Sequence, residues 1–293
     1  MLITSCGNSI DIAKSLARKL HAKYSPLEIS SFPDGDIYLK FNKIPKKETV
    51  VIVHSFQPHP DMSLFDIVWA AETAKDLGAK KVILAVPYLA YMRQDKRFNP
   101  GEAISSKIMA KLLNKSIDKI ITVDPHLHRY KSLKDIFTIP AVKLTANDVM
   151  ADYIKRKIKN PVIIGPDWES YQWAESIAKS IKAPSTVLEK TRFSSHRVSV
   201  KMINPIPLKG KNVVIVDDII STGNTIAEAA KKARKQGAQS ITAICVHGLF
   251  AGDALDRLKK SGVSKVVSTN TIKHKTNGID VTSLFVKELG KRK

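Results

Sequence analysis

The sequence predicts an α/β protein of two tandem domains, each a mainly parallel sheet flanked by helices, and three observations carry that prediction. Apolar runs of strand length alternate with segments whose apolar residues recur at helical spacing through nearly all of the 293 residues. The strand runs are β-branched and continuous, as in Val213 to Val216, which suits strands buried on both faces of a parallel sheet. A repeat at domain scale is also present. Val50-Val-Ile-Val-His-Ser55 matches Val213-Val-Ile-Val-Asp-Asp218, and each is followed by a helical pattern, a closing Gly-Ala (Gly78-Ala79, Gly237-Ala238) and another apolar strand. The expected domains are 1–141 and 142–293, with the last helix packing back on the first domain.

In order, Leu2 to Thr4 opens a strand, and Ile12, Leu16 and Leu20 share a helix face capped by Asn8 or Ser9. Leu27 to Ser30 and Ile37 to Phe41 read as strands around Phe32-Pro-Asp-Gly-Asp36, whose Pro-Asp-Gly core is turn chemistry. A hairpin accounts for that stretch, and so does a site built on an aromatic ring and two acids at one loop tip. Thr49 to Ser55 is a strand, and the helix after it carries Leu64, Val68, Ala71 and Leu77 and closes at Gly78. The strand Val82 to Val86 runs into the polar loop Pro87 to Arg97. Ile104, Ile108 and Leu112 define the apolar face of the next helix, and the strand Lys119 to Val123 delivers Asp124-Pro-His-Leu-His128.

The second half repeats the plan. Val142 to Leu144 is a short strand, Met150, Ile154 and Ile158 are helical, and the strand Val162 to Ile164 ends at Gly165-Pro-Asp167. Trp173, Ile177 and Ile181 share a helix face that reads as core. A strand from Thr186 to Arg192 enters a Ser-rich loop before Arg197 to Val200, and the repeat strand follows. Ile241 to His247, a helix with Leu255 and Leu258, and Lys265 to Ser268 complete the chain.

Composition narrows the function classes. Lys plus Arg number 48 against 27 Asp plus Glu, a net charge of +21. The lysines are spread over nearly every helix, with short clusters such as Lys155 to Lys159 and no extended basic arm, so the expectation is solvated faces and steering of polyanionic substrates, with no nucleic-acid partner. Cys6 and Cys245 lack disulfide or metal-ligand spacing. No apolar run approaches membrane-spanning length and the N-terminus lacks a signal-peptide layout, so the expectation is a cytoplasmic protein without a membrane partner.

The second copy of the repeat carries the strongest site signal. Asp217 and Asp218 stand at the carboxyl end of a strand, and Ser221, Thr222, Gly223, Asn224 and Thr225 occupy the turn into a helix, where N–H groups and hydroxyls favour a phosphate. Two acids beside a phosphate cradle suit a sugar phosphate, whose vicinal hydroxyls they would bind directly or through Mg²⁺. The run resembles the phosphoribosyl-pyrophosphate loop shared by type I phosphoribosyltransferases and ribose-phosphate pyrophosphokinases, so both domains are expected to be phosphoribosyltransferase-like, with only the second keeping the loop. Further polar groups fall at carboxyl ends of predicted strands: Arg93 to Arg97, Asp124, His126, Asp167, Lys190 and Arg192. His and acids suit an oxygen-rich Mg²⁺ site, while Arg and Lys suit phosphoryl charge.

Taken together, Cys6-Gly-Asn-Ser9, Phe32 to Asp36, Pro87-Tyr88, Tyr91 to Asp95, Thr122 to His126, Pro166-Asp167, Lys190-Thr-Arg192 and Asp217 to Thr225 resemble the ribose-phosphate pyrophosphokinase family nearly end to end. Lys-rich, short chains are frequent among its archaeal members. The resemblance implies transfer of the β,γ-diphosphoryl group of ATP to the C1 hydroxyl of ribose 5-phosphate. It implies ATP binding by Phe32, Asp34, Asp36, Arg93, Gln94 and Asp95, metal linkage by His126 and Asp167, and charge stabilisation by Lys190 and Arg192. Asp217, Asp218 and Ser221 to Thr225 would hold ribose 5-phosphate, Mg²⁺ would be the cofactor, and a homo-oligomer, at least a dimer, would place the ATP site near a subunit interface. The chain departs from the family pattern at Asp36 for Glu, Asn224 for Gly, and Trp168-Glu169 for small residues. The rival readings are a phosphoribosyltransferase, which needs neither the Phe32 loop nor Arg93-Gln94; a non-catalytic homologue, disfavoured by Lys190, Arg192 and His126; and a purine-responsive repressor, for which no DNA-binding module is evident.

Overall fold

The computed structural model describes residues 1–168, 170–192, 198–203 and 206–291, with the side chains of 188–192 and 198–203 left outside the description. It divides into two compact units, one of Met1–Thr145 with Thr271–Lys273 and Val281–Lys293, the other of Ala146–Asn270 with His274–Asp280.

In chain order the elements are β1 (Leu2–Ser5), α1 (Ile10–Lys19), β2 (Lys23–Tyr24), β3 (Leu27–Ser31), β4 (Ile37–Phe41), β5 (Thr49–Val53), α2 (Pro60–Asp76), β6 (Lys81–Val86), α3 (Ser105–Ser116), β7 (Lys119–Val123) and β8 (Ala141–Leu144). They continue with α4 (Asn147–Lys157), β9 (Pro161–Gly165), α5 (Tyr171–Ile181), β10 (Ser185–Arg192), β11 (Val198–Ile203), β12 (Asn212–Ile220), α6 (Asn224–Lys235), β13 (Ser240–Gly248), α7 (Ala254–Lys260), β14 (Lys265–Thr269), β15 (Asn277–Ile279) and α8 (Thr282–Leu289).

The first unit is built on a parallel sheet in the order β2-β1-β5-β6-β7-β8. Val50 to Val53 of β5 are fully buried, as a strand covered on both faces must be. β3 and β4 form a separate antiparallel hairpin pairing Leu27 with Phe41 and Ser31 with Ile37. Helix α8 also belongs to this unit, where Lys119 Nζ lies 2.7 Å from Glu288 Oε1.

Three sequence expectations are corrected here. The strand read as Val142 to Leu144 is not the start of the second domain. β8 pairs in parallel with β7, from Ile120 opposite Ala141 to Val123 opposite Leu144, so the first unit extends to Thr145. The helix α1 begins after Ser9, but neither Asn8 nor Ser9 caps it through a side chain, because the Ser9 hydroxyl instead donates to Asn8 Oδ1 and accepts from Ser55 N at 2.9 Å. The face of α3 expected to be core is turned outward, with Ile108 54% and Leu112 40% exposed. Ser106, Met109, Ala110 and Leu113 face inward in their place, since small residues at two of these positions let the helix approach the sheet closely.

The second unit carries a sheet in the order β11-β10-β9-β12-β13-β14-β15, parallel except for the antiparallel β10–β11 pair. Val213 and Ile215 of β12 pack with Ile226, Ala229, Ala230 and Ala233 of α6, an alanine-rich face that seats the helix tightly over the central strand. β12 extends to Ile220, through both carboxylates, so the turn is shorter than the sequence indicates and consists of Ser221 to Gly223. The repeat is visible in both units, where Gly78 and Gly237 close α2 and α6 at φ 82° and 79°.

Candidate functional site

In the second unit the site is built at the carboxyl end of β12. Gly223 sits between strand and helix at φ 75°, a left-handed conformation that a side chain would strain, and its carbonyl accepts the first helical bond from Ala227 N at 2.9 Å. The N–H groups of the first turn of α6 have no partner within the helix, and the helix dipole favours an anion there. The loop is braced from outside. Ala251 N donates to Ser221 O at 3.0 Å, and Arg257 donates to Thr222 O while pairing with Asp253 at 2.6 Å. Asn224, at a position where Gly is common among the proteins the sequence resembles, is the first residue of α6 and lies outside the set of positive-φ residues, so an Asn there carries no backbone strain.

The acids beside this loop form one electrostatic group. Asp218 is 4% exposed, and its N–H donates to Asp217 Oδ1 at 3.0 Å. Burial, then the neighbouring Asp218, then Asp167 hold the Asp217 carboxyl well above its ordinary range. Asp167 is fixed by Ser170, whose N–H and hydroxyl reach Asp167 Oδ1 at 3.0 and 2.8 Å. Beside it the Trp168 ring stacks on Tyr171 at 5.3 Å and stays 61% exposed, while Glu169 lies outside the described residues. Lys190 and Arg192 fall on β10 opposite Val200 and Val198 of β11, and their side chains lie outside the described residues.

In the first unit the hairpin tip holds Phe32 N bonded to Asp36 O at 2.8 Å and Gly35 N to Phe32 O at 2.9 Å, with Gly35 at φ 97°. Phe32 is 52% exposed and meets Tyr38 edge-on at 5.7 Å, while Asp34 and Asp36 are exposed at the same tip. The loop after β6 presents Arg93 to solvent, and Gln94 accepts from Ser105 Oγ at 2.5 Å. Asp95 is placed differently from the other polar residues of its loop. Its side chain is 1% exposed and accepts from Arg129 Nη1 at 2.7 Å, so it anchors the loop, and its second oxygen is buried without a partner among the described residues. At the end of β7, Asp124 adopts φ 33°, a strained value for a residue with a side chain, and the following turn sets His126 Nδ1 2.8 Å from His128 Nε2.

Sequence reasoning missed two participants. Arg129, the partner of Asp95, follows the Asp124 to His128 run directly and could have been included with it. Asp61, which accepts from the Tyr91 hydroxyl, sits on α2, and nothing in the local sequence joins them.

Parallel sheets with a phosphate-type loop at one strand's carboxyl end define a phosphoribosyltransferase-like protein, and the phosphoribosyl transferase domain model matches residues 132–285. Residues 1–116 match the model of the N-terminal domain of ribose phosphate pyrophosphokinase. The chain is 36% identical to a ribose-phosphate pyrophosphokinase from Methanothermobacter thermautotrophicus, over 97% of this chain and 98% of that one. It is 38% identical to the Saccharolobus solfataricus ribose-phosphate pyrophosphokinase, over 97% and 96% of the two chains. The crystal structure of phosphoribosylpyrophosphate synthetase from Mycobacterium smegmatis shares the fold, with a TM-score of 0.86 at 24% identity, covering 99% of this chain and 97% of that one. The chain therefore belongs to the ribose-phosphate pyrophosphokinase family.

Proposed function

We propose that the chain transfers the β,γ-diphosphoryl group of ATP to the C1 hydroxyl of ribose 5-phosphate, giving 5-phosphoribosyl 1-pyrophosphate and AMP for nucleotide biosynthesis in the cytoplasm. The observation that carries this reading is the pairing of the Asp217–Thr225 loop with a first unit that keeps Phe32, Arg93 and Gln94, which a phosphoribosyltransferase would not need. The C1 oxygen attacks the β-phosphorus, the bond from that phosphorus to the α–β bridging oxygen breaks, and AMP leaves as the hydroxyl proton is lost.

Each group has a role in that step. The loop Ser221 to Thr225 holds the 5-phosphate, and Asp217 and Asp218 orient the ribose hydroxyls. The exposed Phe32 ring offers a face to adenine, with Asp34 and Asp36 beside it, while Arg93, Gln94 and Asp95 help hold ATP, with Arg93 on its phosphates. Asp95 also fixes the loop through Arg129. Lys190 and Arg192 neutralise the charge of the transferring group, where positioning and electrostatics dominate catalysis. The cluster of Asp167, Asp217 and Asp218 fits a hard cation, since acids that raise one another's affinity for a proton also attract a metal ion. Asp167, with Asp217 and Asp218 beside it, would hold Mg²⁺ directly or through water, His126 is also read as metal-linked, and the ion would neutralise phosphoryl charge.

Incubation with ATP, Mg²⁺ and ribose 5-phosphate should yield AMP and phosphoribosyl pyrophosphate in equal amounts. AMP formation that ignores ribose 5-phosphate, or none at all, sinks the proposal.

A homo-oligomer, at least a dimer, is part of the same reading. Met62, Phe65 and Trp69 form an exposed stripe on α2, and Ile108 and Leu112 another on α3. Exposed Asp61, Glu72 and Asp76 border the first stripe and exposed Lys107, Lys111 and Lys115 the second, so a two-fold copy would set acids against lysines around an apolar centre. Trp69→Glu should lower the mass measured by light scattering at micromolar concentration to that of the monomer. A wild-type protein that is already monomeric there rules out this face.

A further inference from the structure

A concavity of about 630 Å³ opens at the edge of the second unit's sheet opposite the phosphate loop. It lies where three neighbouring parallel strands begin, bounded by the end of α4 before β9, the end of α5 before β10 and the approach to β12. β12 spans nine residues from this edge to Ile220, which at ~3.3 Å per residue sets the concavity roughly 25 Å from the sugar-phosphate loop.

Its lining includes Lys155, Arg156, Lys157, Lys159, Lys182 and Lys211 and, among the described residues, no acidic one. All six are exposed, and among the described residues none is in an ion pair. Two helices end here, and lysines at helix C-termini ordinarily offset the dipole. The two dipoles together amount to roughly one negative charge, so a local excess of several positive charges remains. The concavity also has a fixed shape. Asn160 and Lys182 hold left-handed backbones at φ 46° and 55°, and Asn212 Nδ2 donates to Lys159 O at 2.8 Å while its Oδ1 accepts from Ser240 Oγ at 2.7 Å. Two non-glycine residues kept in that region mark a lip over-determined by its surroundings.

We infer that this concavity is a second anion site, separate from the sugar-phosphate loop, and that it takes a compact oligophosphate. The space exceeds what one phosphate fills, and several lysines converge on it from three loops. Among the described residues no aromatic side chain lines it, so a nucleic-acid base has nothing there to stack on, and the cations surround a hollow instead of forming a track along a polymer. Ile158, Val162 and Ile181 form an apolar part of the lining beside the cations.

The probe is inorganic tripolyphosphate, titrated calorimetrically at low salt without Mg²⁺ and with saturating ribose 5-phosphate present to occupy the sugar-phosphate loop. The donor site would also accept this probe, so Arg93→Ala is measured beside wild type and the Lys155→Glu/Lys159→Glu/Lys211→Glu variant. Wild type should bind two equivalents per chain, and the triple variant should lose one of them while retaining phosphoribosyl pyrophosphate synthesis within twofold. Arg93→Ala should weaken the other equivalent only. Should the charge reversals compromise folding, Lys159→Gln/Lys211→Gln is the substitute, expected to weaken the second equivalent about tenfold. A wild-type isotherm in a folded variant overturns the inference. So does a concavity that binds a short duplex DNA, lost in the triple variant, while tripolyphosphate binding is unchanged, because the ligand is then a nucleic acid.

Discussion

The loops after β5 and after β12 begin from nearly the same strand and diverge within two residues. After β12 the chain places two carboxylates in the strand, then a glycine at φ 75°, and starts α6 at once. After β5 it places His54 and Ser55, which are 3% and 2% exposed, and takes until Pro60 to start α2. Most polar groups of this first loop are used internally, although neither ring nitrogen of the buried His54 has a hydrogen-bond partner among the described residues. Ser55 N donates to Ser9 Oγ at 2.9 Å, Ser55 Oγ to Thr271 O at 2.5 Å, His54 N to Ala85 O at 3.1 Å and Phe56 N to Tyr88 O at 3.1 Å. One copy of the repeat has become a structural tie, while the other keeps buried acids whose mutual repulsion costs stability. The lesson is that the same strand-turn-helix gains or loses a ligand according to whether its donors and carboxylates are satisfied by the protein itself.

That contrast is sharpest at Asp217. A carboxyl held above its ordinary range keeps its proton in the folded chain at pH values where the unfolded chain has lost it. Stability therefore falls as pH rises from the ordinary Asp value through the raised one. Asp217→Asn should raise Tm near neutral pH and lower kcat/KM for ribose 5-phosphate by about a hundredfold or more, read by calorimetry and initial rates. An unchanged kcat/KM would show that this loop is as inert as its twin.

A paired exchange comes next in size. Gly223→Ala meets the side chain of Leu258 at 3.4 Å, a contact that can adjust, so its main cost is the left-handed backbone, about 1 kcal/mol. KM for ribose 5-phosphate should rise about tenfold with a small loss of Tm. Ser55→Ala should do the reverse, with kinetics within twofold and stability lower by about 1–3 kcal/mol, because it removes the donor to Thr271 O. Kinetic damage from Ser55→Ala would break the comparison.

Much of this was legible in the sequence because the chemistry is local. The strands, the hairpin tip around Phe32 and the turn from β12 into α6 are contiguous stretches whose period or composition names them. The misplaced parts depend on non-local competition. α3 has two apolar stripes, and only packing against the sheet selects Met109 and Leu113 over Ile108 and Leu112. β8 reads as the start of a new domain until its register with β7 is seen. The tie between Asp95 and Arg129, 34 positions away, is non-local in the same way, and nothing within the Asp95 loop points to it.

The smallest expected effect isolates the structural twin. His54 is buried, with Asp66 Oδ2 3.9 Å from its Nε2, and burial lowers its pKa to about 4. In the unfolded chain it would titrate near 6.5, so from there down to about pH 4 the unfolded state binds the extra proton and stability falls with pH. A shift of that size is worth at most about 3 kcal/mol across the window. Asp66 works against it, since burial raises its carboxyl and makes the folded state the better proton binder just above the ordinary Asp range. The Cys6 thiol, pushed upward by burial and Asp66, stays protonated throughout. The net loss on acidification should therefore be smaller than the His54 contribution alone, and His54→Gln should flatten the dependence between pH 7 and pH 4, measured by urea unfolding, with kcat at neutral pH unchanged. If the slope survives in His54→Gln, the acid sensitivity belongs to other groups, and if kcat falls with it, the first loop is not inert.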